Sequence, residues 1–482
     1  MRESIVDKKN RFVAHWKGMT DAERVRFLFL AVMLTAIALF VPVSLGIFFY
    51  NLTIPVEELD TGKSLANSIP FLKYWSLFFY RNSVFFQDRD DVFMDWFNIN
   101  YMVYNNSPYI GGDSSYPPLV LNIAKIFAAM ADYDFGAGEA RNSPEGIASI
   151  LTFYAVSLIP TFALLWVACR RKQMKNGQIA LLCLAFLGSV PFLFEFDRGN
   201  YLLIALPFIF AFFLWYNSER RWAREAAYIG LSVAVGIKIY PAAFALILLK
   251  ERRFAAFVRT ACYSVLMLIV PFLFFEGGLD NISAFLYWLT DFAGSKGGEV
   301  NTVVYGVSYS YSPYNLPASI VAMLGPGVVD MDVLANAKAV ELCGKILTVL
   351  FIVLVFFTGF ASDRKWKVIL SSALATMFVP SISFVYSATM CVIPIVFFLL
   401  DEEKRRLDYA YLALFLIAFV PCLSPYLADY NTVAFRWGVN LANFVQLLSY
   451  IAMLFLLTGD CVARLVRKGG KGFFRIKKGQ NC

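Results

Sequence analysis

The sequence predicts an all-α fold, a polytopic transmembrane helical bundle of about ten full spans with one broken, re-entrant pair of helices. Three observations carry that prediction. Of the 482 residues 59% are hydrophobic and only 16% charged, where soluble domains carry about 25% charged residues. Apolar runs of roughly 17 to 25 residues recur along the whole chain, long enough to cross a hydrocarbon core. Lysine and arginine gather at both ends and in short turns between those runs, as they do on the cytoplasmic side of membrane proteins. The 48 Phe and 25 Tyr would suit the aromatic girdles of a β-barrel, but the apolar runs do not alternate as barrel strands must.

Residues 1–26 form a polar, basic tail. The apolar run at 27–50 is too long for the core of a cleavable signal and reads as the first span and a start-transfer anchor. Further spans are expected at 146–169, 177–196, 200–217, 254–276, 340–361, 367–383, 384–400, 408–425 and 438–458, making 27–458 one membrane domain. Residues 459–482 are a second basic tail. The basic clusters are KKNRF near the start, ACRRKQMK at 168–175, SERRWARE at 218–225, LKERRF at 249–254, SDRKWK at 362–367, DEEKRR at 401–406 and the tail itself. The positive-inside rule places all of them, and both termini, in the cytoplasm. Segments 51–145 and 277–338 carry more acids than bases and face outward, with short interfacial helices such as IPFLKYWSLFFYRNS.

One segment conflicts with a simple crossing. Between SERRWARE and LKERRF lie about 24 mostly apolar residues with positive charge on both sides. A pair of short helices that turns back resolves the conflict, broken at Gly236–Pro241, where glycine is permissive and Pro241 disfavours helix at Tyr240. The alternative is one ordinary span with a basic cluster left outside. In the broken pair Lys238 sits deep in the bundle, where an ionisable side chain costs about 3 kcal/mol or more and should face a polar cavity or an anion. A snorkelling or internally paired lysine is the other account of it.

The eight cysteines are scattered without a CxxC pair, which supports neither a zinc site nor a disulfide framework. The single histidine, His15, belongs to the basic tail. The first outward loop is richer. Asp88, Asp90, Asp91, Asp95 and Asp113 are potential bases or ligands of a divalent cation. Asp95 stands apart, set among the apolar and aromatic residues of FMDWFNINY, where partial burial makes a carboxylate a more avid proton acceptor. A second polar island, FEFDRGNYLLIAL at 194–206, supplies Arg198 as another cation for an anionic ligand, or as a partner for Asp197 or Glu195. The later stretch VNTVVYGVSYSYSPYNLP at 300–317 offers Tyr305, Tyr309, Tyr311 and Tyr314, which suit sugar binding and an interfacial aromatic belt equally.

Taken in order, these motifs resemble glycosyltransferase family 87. They are Asp95, then the YxxYxxxPY stretch Tyr101, Tyr104, Pro108 and Tyr109, then YPP from Tyr116, RGN from Arg198 to Asn200, and GIKIYP from Gly236 to Pro241. The likeness runs from about residue 80 to 260 and weakens afterwards. At 379–394 some family members have a histidine where Tyr386 or Ser383 stands here. The resemblance implies a GT-C membrane fold and a sugar, mannose or a similar hexose or pentose, carried on a polyprenyl phosphate. It implies transfer with inversion to a glycan or glycolipid on the outer, periplasmic face of the plasma membrane. By the same resemblance Asp95 is the general base, Lys238 and Arg198 hold the donor phosphate, and Tyr101, Tyr104, Tyr116, Asn200 and Tyr240 are substrate-binding candidates. No cofactor is required, although Asp88, Asp90 and Asp91 permit a metal ion. Neither a GxGxxG after a strand nor a P-loop is present, so nucleotide-sugar chemistry and nucleic-acid partners are not expected. Two other classes fit part of the pattern. One is a transporter or flippase of lipid-linked sugars, for which a second broken segment would be expected; the other is a polysaccharide ligase or polymerase.

Overall fold

The first long helix, α1 (Asp21–Leu52), starts where Thr20 and Glu23 satisfy each other. The Glu23 amide donates to Thr20 Oγ1 at 3.2 Å and the Thr20 amide to Glu23 Oε2 at 2.8 Å, a reciprocal box that quenches two amides a helix start otherwise leaves unpaired. The computed structural model describes residues 13–14, 16–52, 92–104, 107–110, 114–294, 310–323, 337–422, 426–431 and 436–467. The candidate residues Asp88, Asp90, Asp91, Tyr305 and Tyr309, and the stretch 69–83, lie outside them.

The expected outward loop is largely helical where it is described: α2 (Met94–Tyr104), α3 (Pro118–Ala128) and α4 (Ala137–Asn142). Helix α2 buries Trp96, Phe97, Ile99, Asn100 and Val103 and packs on α3, so it is built into the body of the protein. Helix α5 (Pro144–Arg171) follows, capped by Ser143 Oγ, which accepts from the Gly146 amide at 3.0 Å. Next come α6 (Asn176–Leu187) and α7 (Val190–Arg198), bent by 57° at their break. Pro191, in the first turn of α7, has no amide hydrogen to continue the ladder back to Leu187, and its ring would clash with that carbonyl, which places the break just before α7. Helices α8 (Leu202–Trp215) and α9 (Arg221–Ile237) pair closely, followed by a 3-10 turn (Tyr240–Ala245), α10 (Leu246–Lys250), α11 (Phe254–Ile269) and α12 (Asn281–Gly294). The last third comprises α13 (Leu316–Ala322), α14 (Lys338–Ala361), α15 (Lys365–Phe378), a 3-10 turn (Val385–Cys391), α16 (Val392–Leu400), α17 (Arg406–Phe419) and α18 (Leu441–Arg467). An antiparallel hairpin, β1 (Tyr426–Asn431) with β2 (Arg436–Asn440), pairs Tyr430 with Trp437 and precedes α18.

Five helical stretches among the described residues are long and apolar enough to cross a membrane: Asp21–Val43, Pro144–Arg171, Phe254–Phe274, Lys338–Ala361 and Leu441–Arg467. Counting the bent α6–α7 pair as one span makes six. Their outward faces are apolar: Leu39, Leu151, Ile159, Val349 and Val353 are all exposed, as side chains facing lipid should be. Ten full spans were expected, and the difference has a physical cause. The stretches 200–217, 367–383 and 408–425 fold into helices of 14 residues, about 21 Å long against a hydrocarbon core of about 30 Å. Every residue of α15 is buried. Hydropathy cannot separate a helix immersed in lipid from one wrapped by other helices.

The segment from α9 to α10 returns to the end from which it leaves. Tyr216, just before α9, donates through Oη to Glu251 Oε1 at 2.7 Å, and its carbonyl accepts from Arg253 Nη1 at 3.3 Å. Lys238 is therefore at the far tip of a helical hairpin. At the basic end, cations satisfy helix carbonyls that lack intrahelical partners. Arg171 Nη1 donates to Leu214 O at 3.2 Å, Lys365 Nζ to Phe213 O at 3.1 Å and Arg26 Nη1 to Leu399 O at 3.4 Å. Lys250 reaches Phe360 O in the same way. Arg364, fully buried, is held by both oxygens of Asp408 at 2.8 and 2.6 Å and by Asp401 at 2.6 Å.

Candidate active site

At the opposite end of that hairpin the two polar islands of the sequence meet. Helix α2 and the turn between α7 and α8 are pinned by a main-chain hydrogen bond, Phe93 N to Asp197 O at 2.7 Å, with Phe93 in the left-handed region at φ 63°. Gly199 is also left-handed, at φ 65°, and a Cβ there would lie 2.9 Å from Trp96 Cβ. Only glycine allows the turn and the helix to approach so closely. The residues on either side of Gly199 both reach Asp95. Arg198 donates to Oδ1 through Nε at 3.1 Å and Nη2 at 2.7 Å, and Asn200 Nδ2 donates to Oδ2 at 3.0 Å. Asn200 Oδ1 accepts from the Leu202 amide at 3.1 Å, which fixes the amide so that its NH2 faces the carboxylate. Asp95 thus has both oxygens occupied, yet each carboxylate oxygen can accept more than one hydrogen bond and the side chain keeps 19% exposure.

A satisfied polar network backs this arrangement. The Asn100 amide donates to Tyr201 Oη at 2.6 Å and Ala124 O at 3.2 Å, and accepts from Trp96 Nε1 at 2.9 Å and Tyr133 Oη at 3.2 Å. The Trp96 ring stacks on Tyr201 at 4.7 Å and packs against Phe153 at 4.2 Å. Asp95 therefore stands on a rigid helix end.

Lys238 terminates α9 in extended geometry, φ −143° and ψ 133°. A Cβ at neighbouring Gly236 would fall 2.6 Å from Leu119 and 3.0 Å from Met267 Cβ, so the tip is wedged between α3 and α11. The Lys238 ammonium lies 5.3 Å from the Tyr116 ring centre and 5.5 Å from that of Tyr386. Asp95 and Glu195 are within its electrostatic reach, yet among the described residues no carboxylate forms an ion pair with it. Tyr386 in turn lies within electrostatic range of Asp95, Tyr116, Glu195 and Tyr240, which gathers all these groups at one place.

The structure thus brings together Asp95, Arg198, Asn200, Lys238, Tyr116 and Tyr240. It pairs Arg198 with Asp95. Other candidates fall elsewhere. Tyr101 and Tyr104 are exposed, and Tyr104 Oη contacts Asp132 Oδ1 at 3.4 Å. Tyr311 is fully buried, hydrogen-bonded to Gln446 and 5.2 Å from the Tyr450 ring. Tyr314 packs on Gly344 of α14. Their segment acts on the site indirectly. Tyr311 N donates to Ser383 O at 2.7 Å, Ser383 N to Ser310 Oγ at 2.9 Å and Asn315 Nδ2 to Ser381 O at 2.8 Å, so residues 310–315 fasten the segment that leads to Tyr386. Among the described residues no three His, Cys, Asp or Glu side chains are grouped to hold a metal ion. Two further members of the site, Glu195 and Tyr386, are marked by the sequence only as an alternative partner of Arg198 and as the residue near a family histidine, and not as site residues. Glu195 was legible in FEFDRGN, one helical turn before Arg198.

A bundle of apolar helices with carboxylates, two cations and a group of tyrosines collected at one end is a membrane protein with a polar site at one end of its helices. Residues 115–388, more than half of the chain, match glycosyltransferase family 87, and the chain belongs to that family. It is a membrane glycosyltransferase. The match starts later than the resemblance read from the motifs and extends well beyond residue 260; it includes Arg198, Asn200, Lys238 and Tyr386 and leaves Asp95 before its start. No curated protein and no solved structure matches the chain.

Proposed function

We propose that this glycosyltransferase moves a sugar, mannose or a similar hexose or pentose, from a polyprenyl phosphate to a glycan or glycolipid hydroxyl on the outer face of the plasma membrane. The observation that carries this reading is the Lys238 ammonium, held between the faces of Tyr116 and Tyr386 with no ion-pair partner among the described residues, beside Asp95. A half-buried cation of that kind favours an anion, and a lipid phosphate can reach it from the bilayer. Arg198 belongs to the same electrostatic field but holds Asp95 directly, so its contribution is to aim the carboxylate while Lys238 meets the phosphate.

In the reaction, Asp95 accepts the proton of the acceptor hydroxyl through a lone pair that Arg198 and Asn200 leave open. The acceptor oxygen attacks the anomeric carbon from the face opposite the phosphate, and the bond between that carbon and the phosphate oxygen breaks. The electron pair leaves with the lipid phosphate, where Lys238 stabilises the added charge, and the configuration at the anomeric carbon inverts. The cationic turns, including the ends at Arg171, Arg253 and Arg364, lie on the cytoplasmic side with both termini. That places the tip at Lys238 toward the periplasm or exterior.

The test is transfer itself. Purified protein is incubated with polyprenyl phosphates bearing different sugars and with a panel of glycan and glycolipid acceptors, and products are read by mass spectrometry. Sugar-bearing acceptor together with free polyprenyl phosphate is the expected outcome. Turnover with a nucleotide sugar and not with the lipid-linked one would overturn the donor assignment.

A further inference from the structure

Glu195 is a carboxylate that the reaction above does not use. It lies on α7, fully buried, and among the described residues neither Oε1 nor Oε2 has a hydrogen-bond partner. The Leu203 amide, in the first turn of α8, is the main-chain group that faces it. Lys238 and Asp95 are both within its electrostatic reach, and the ring of adjacent Phe194 lies 6.1 Å from that of Tyr386. Glu195 therefore borders the site that contains Lys238 and Asp95.

In its charged form, which the Lys238 ammonium favours and burial opposes, Glu195 only accepts hydrogen bonds, with room for about four. Leaving those positions empty in a desolvated interior is unfavourable. A ligand that fills them must bring donors, and it must do so next to the phosphate held by Lys238. The phosphate itself brings none and is repelled by a second anion. The ring esterified to it carries adjacent hydroxyl groups, each a donor, spaced to meet the two oxygens of one carboxylate. We propose that Glu195 reads the sugar on the lipid carrier, accepting hydrogen bonds from two hydroxyls of the transferred ring while Lys238 holds the phosphate. This rests on the donor reading above. It gives the site a means of telling a loaded carrier from a spent one. Once the ring has moved to the acceptor, Glu195 loses its donors and faces a phosphate that has gained charge, so the product lipid is released. Because Glu195 is closed from solvent, the ring reaches it through a rearrangement of the aromatic side chains around Lys238.

The experiment compares the binding of two lipids, polyprenyl phosphate and polyprenyl-phosphate mannose, or the arabinose ester if that is the donor transferred. Wild-type protein and Glu195→Gln, both in nanodiscs, are titrated with each lipid. The wild type is expected to prefer the sugar-bearing lipid. Glu195→Gln, with one acceptor turned into a donor, is expected to lose that preference by about tenfold or more. If the variant does not purify folded, Glu195→Asp, which withdraws the charge by one methylene, is read for the same ratio. An unchanged ratio overturns the assignment of Glu195 alone. So does tighter binding of both lipids by equal factors, because that is the signature of a mere counter-ion to Lys238. Wild-type protein that binds neither lipid overturns the donor reading itself, and this inference with it.

Discussion

Replacing Asp95 by Asn tests the proposed base, and the structure shows that the change is not a silent one. Asp95 accepts from Arg198 on one oxygen and from Asn200 on the other. An Asn in its place offers one oxygen and one NH2, so its NH2 must face a donor. If it faces Asn200, that residue can respond only by turning over its amide, which breaks the bond from the Leu202 amide at 3.1 Å. At least one hydrogen bond is lost and a buried donor is left unpaired, a destabilisation of about 1–3 kcal/mol. Loss of a positioned base typically lowers the rate by about 10² to 10⁴, equivalent to roughly 2.7–5.5 kcal/mol of barrier. The two effects can be separated by exchanging the residues. In Asp95→Asn/Asn200→Asp the new NH2 meets a carboxylate that can still accept from Leu202, and the net charge is unchanged. The exchange is expected to recover thermal stability to within about 1 kcal/mol of wild type while transfer stays down by the full factor. The assay is single-turnover transfer with saturating donor and acceptor, beside thermal unfolding in the same detergent. Transfer at the wild-type rate by Asp95→Asn, or its recovery in the exchanged protein, would refute Asp95 as the base.

Three further outcomes are expected. Lys238→Ala should weaken donor binding by about 10- to 150-fold, the value of one charge-assisted hydrogen bond, with little change in stability because no ion pair is broken; equal donor affinity in a lipid-binding titration would make Lys238 structural. Gly199→Ala places a Cβ 2.9 Å from Trp96 at φ 65°; the left-handed backbone costs about 1–2 kcal/mol and the contact more, so unfolding at a lower temperature and reduced transfer should appear together, and a fully active, equally stable variant would contradict the close approach. Cysteines introduced at Ser115 and Gly470 should react with an impermeant maleimide from opposite sides of the membrane, and labelling of both from one side would overturn the proposed orientation.

The parts of the site that were legible in the sequence are those with a local signature. Asp95 was marked by the aromatic residues around it, Lys238 by the clash between a long apolar run and the basic clusters at its ends, and the RGN turn by polar residues between two apolar runs. Their meeting was not legible, because Asp95 and Arg198 are 103 residues apart and nothing local tells Arg198 to pair with Asp95. Tyr311 and Gln446 show the same limit from the other side. A Tyr-, Ser- and Asn-rich stretch has the composition of a sugar-binding surface, yet Tyr311 spends its hydroxyl on Gln446 and Asn315 its amide on Ser381. Helix existence was read well and helix environment was not. The wholly buried α15 and the lipid-length α14 both pass as apolar runs.

The cations at the basic end serve two stages of the protein's life. While a helix is being inserted, its Lys and Arg side chains are free and set the direction of crossing. In the folded chain Arg26 is tied to Leu399, Lys250 to Phe360 and Lys365 to Phe213, carbonyls more than one hundred residues away in sequence. A helix inserted backwards would therefore carry its charge to the wrong side and also leave a distant helix end without its donor. The packed bundle therefore accepts one orientation of these helices relative to one another, because an inverted helix leaves a distant carbonyl without its donor.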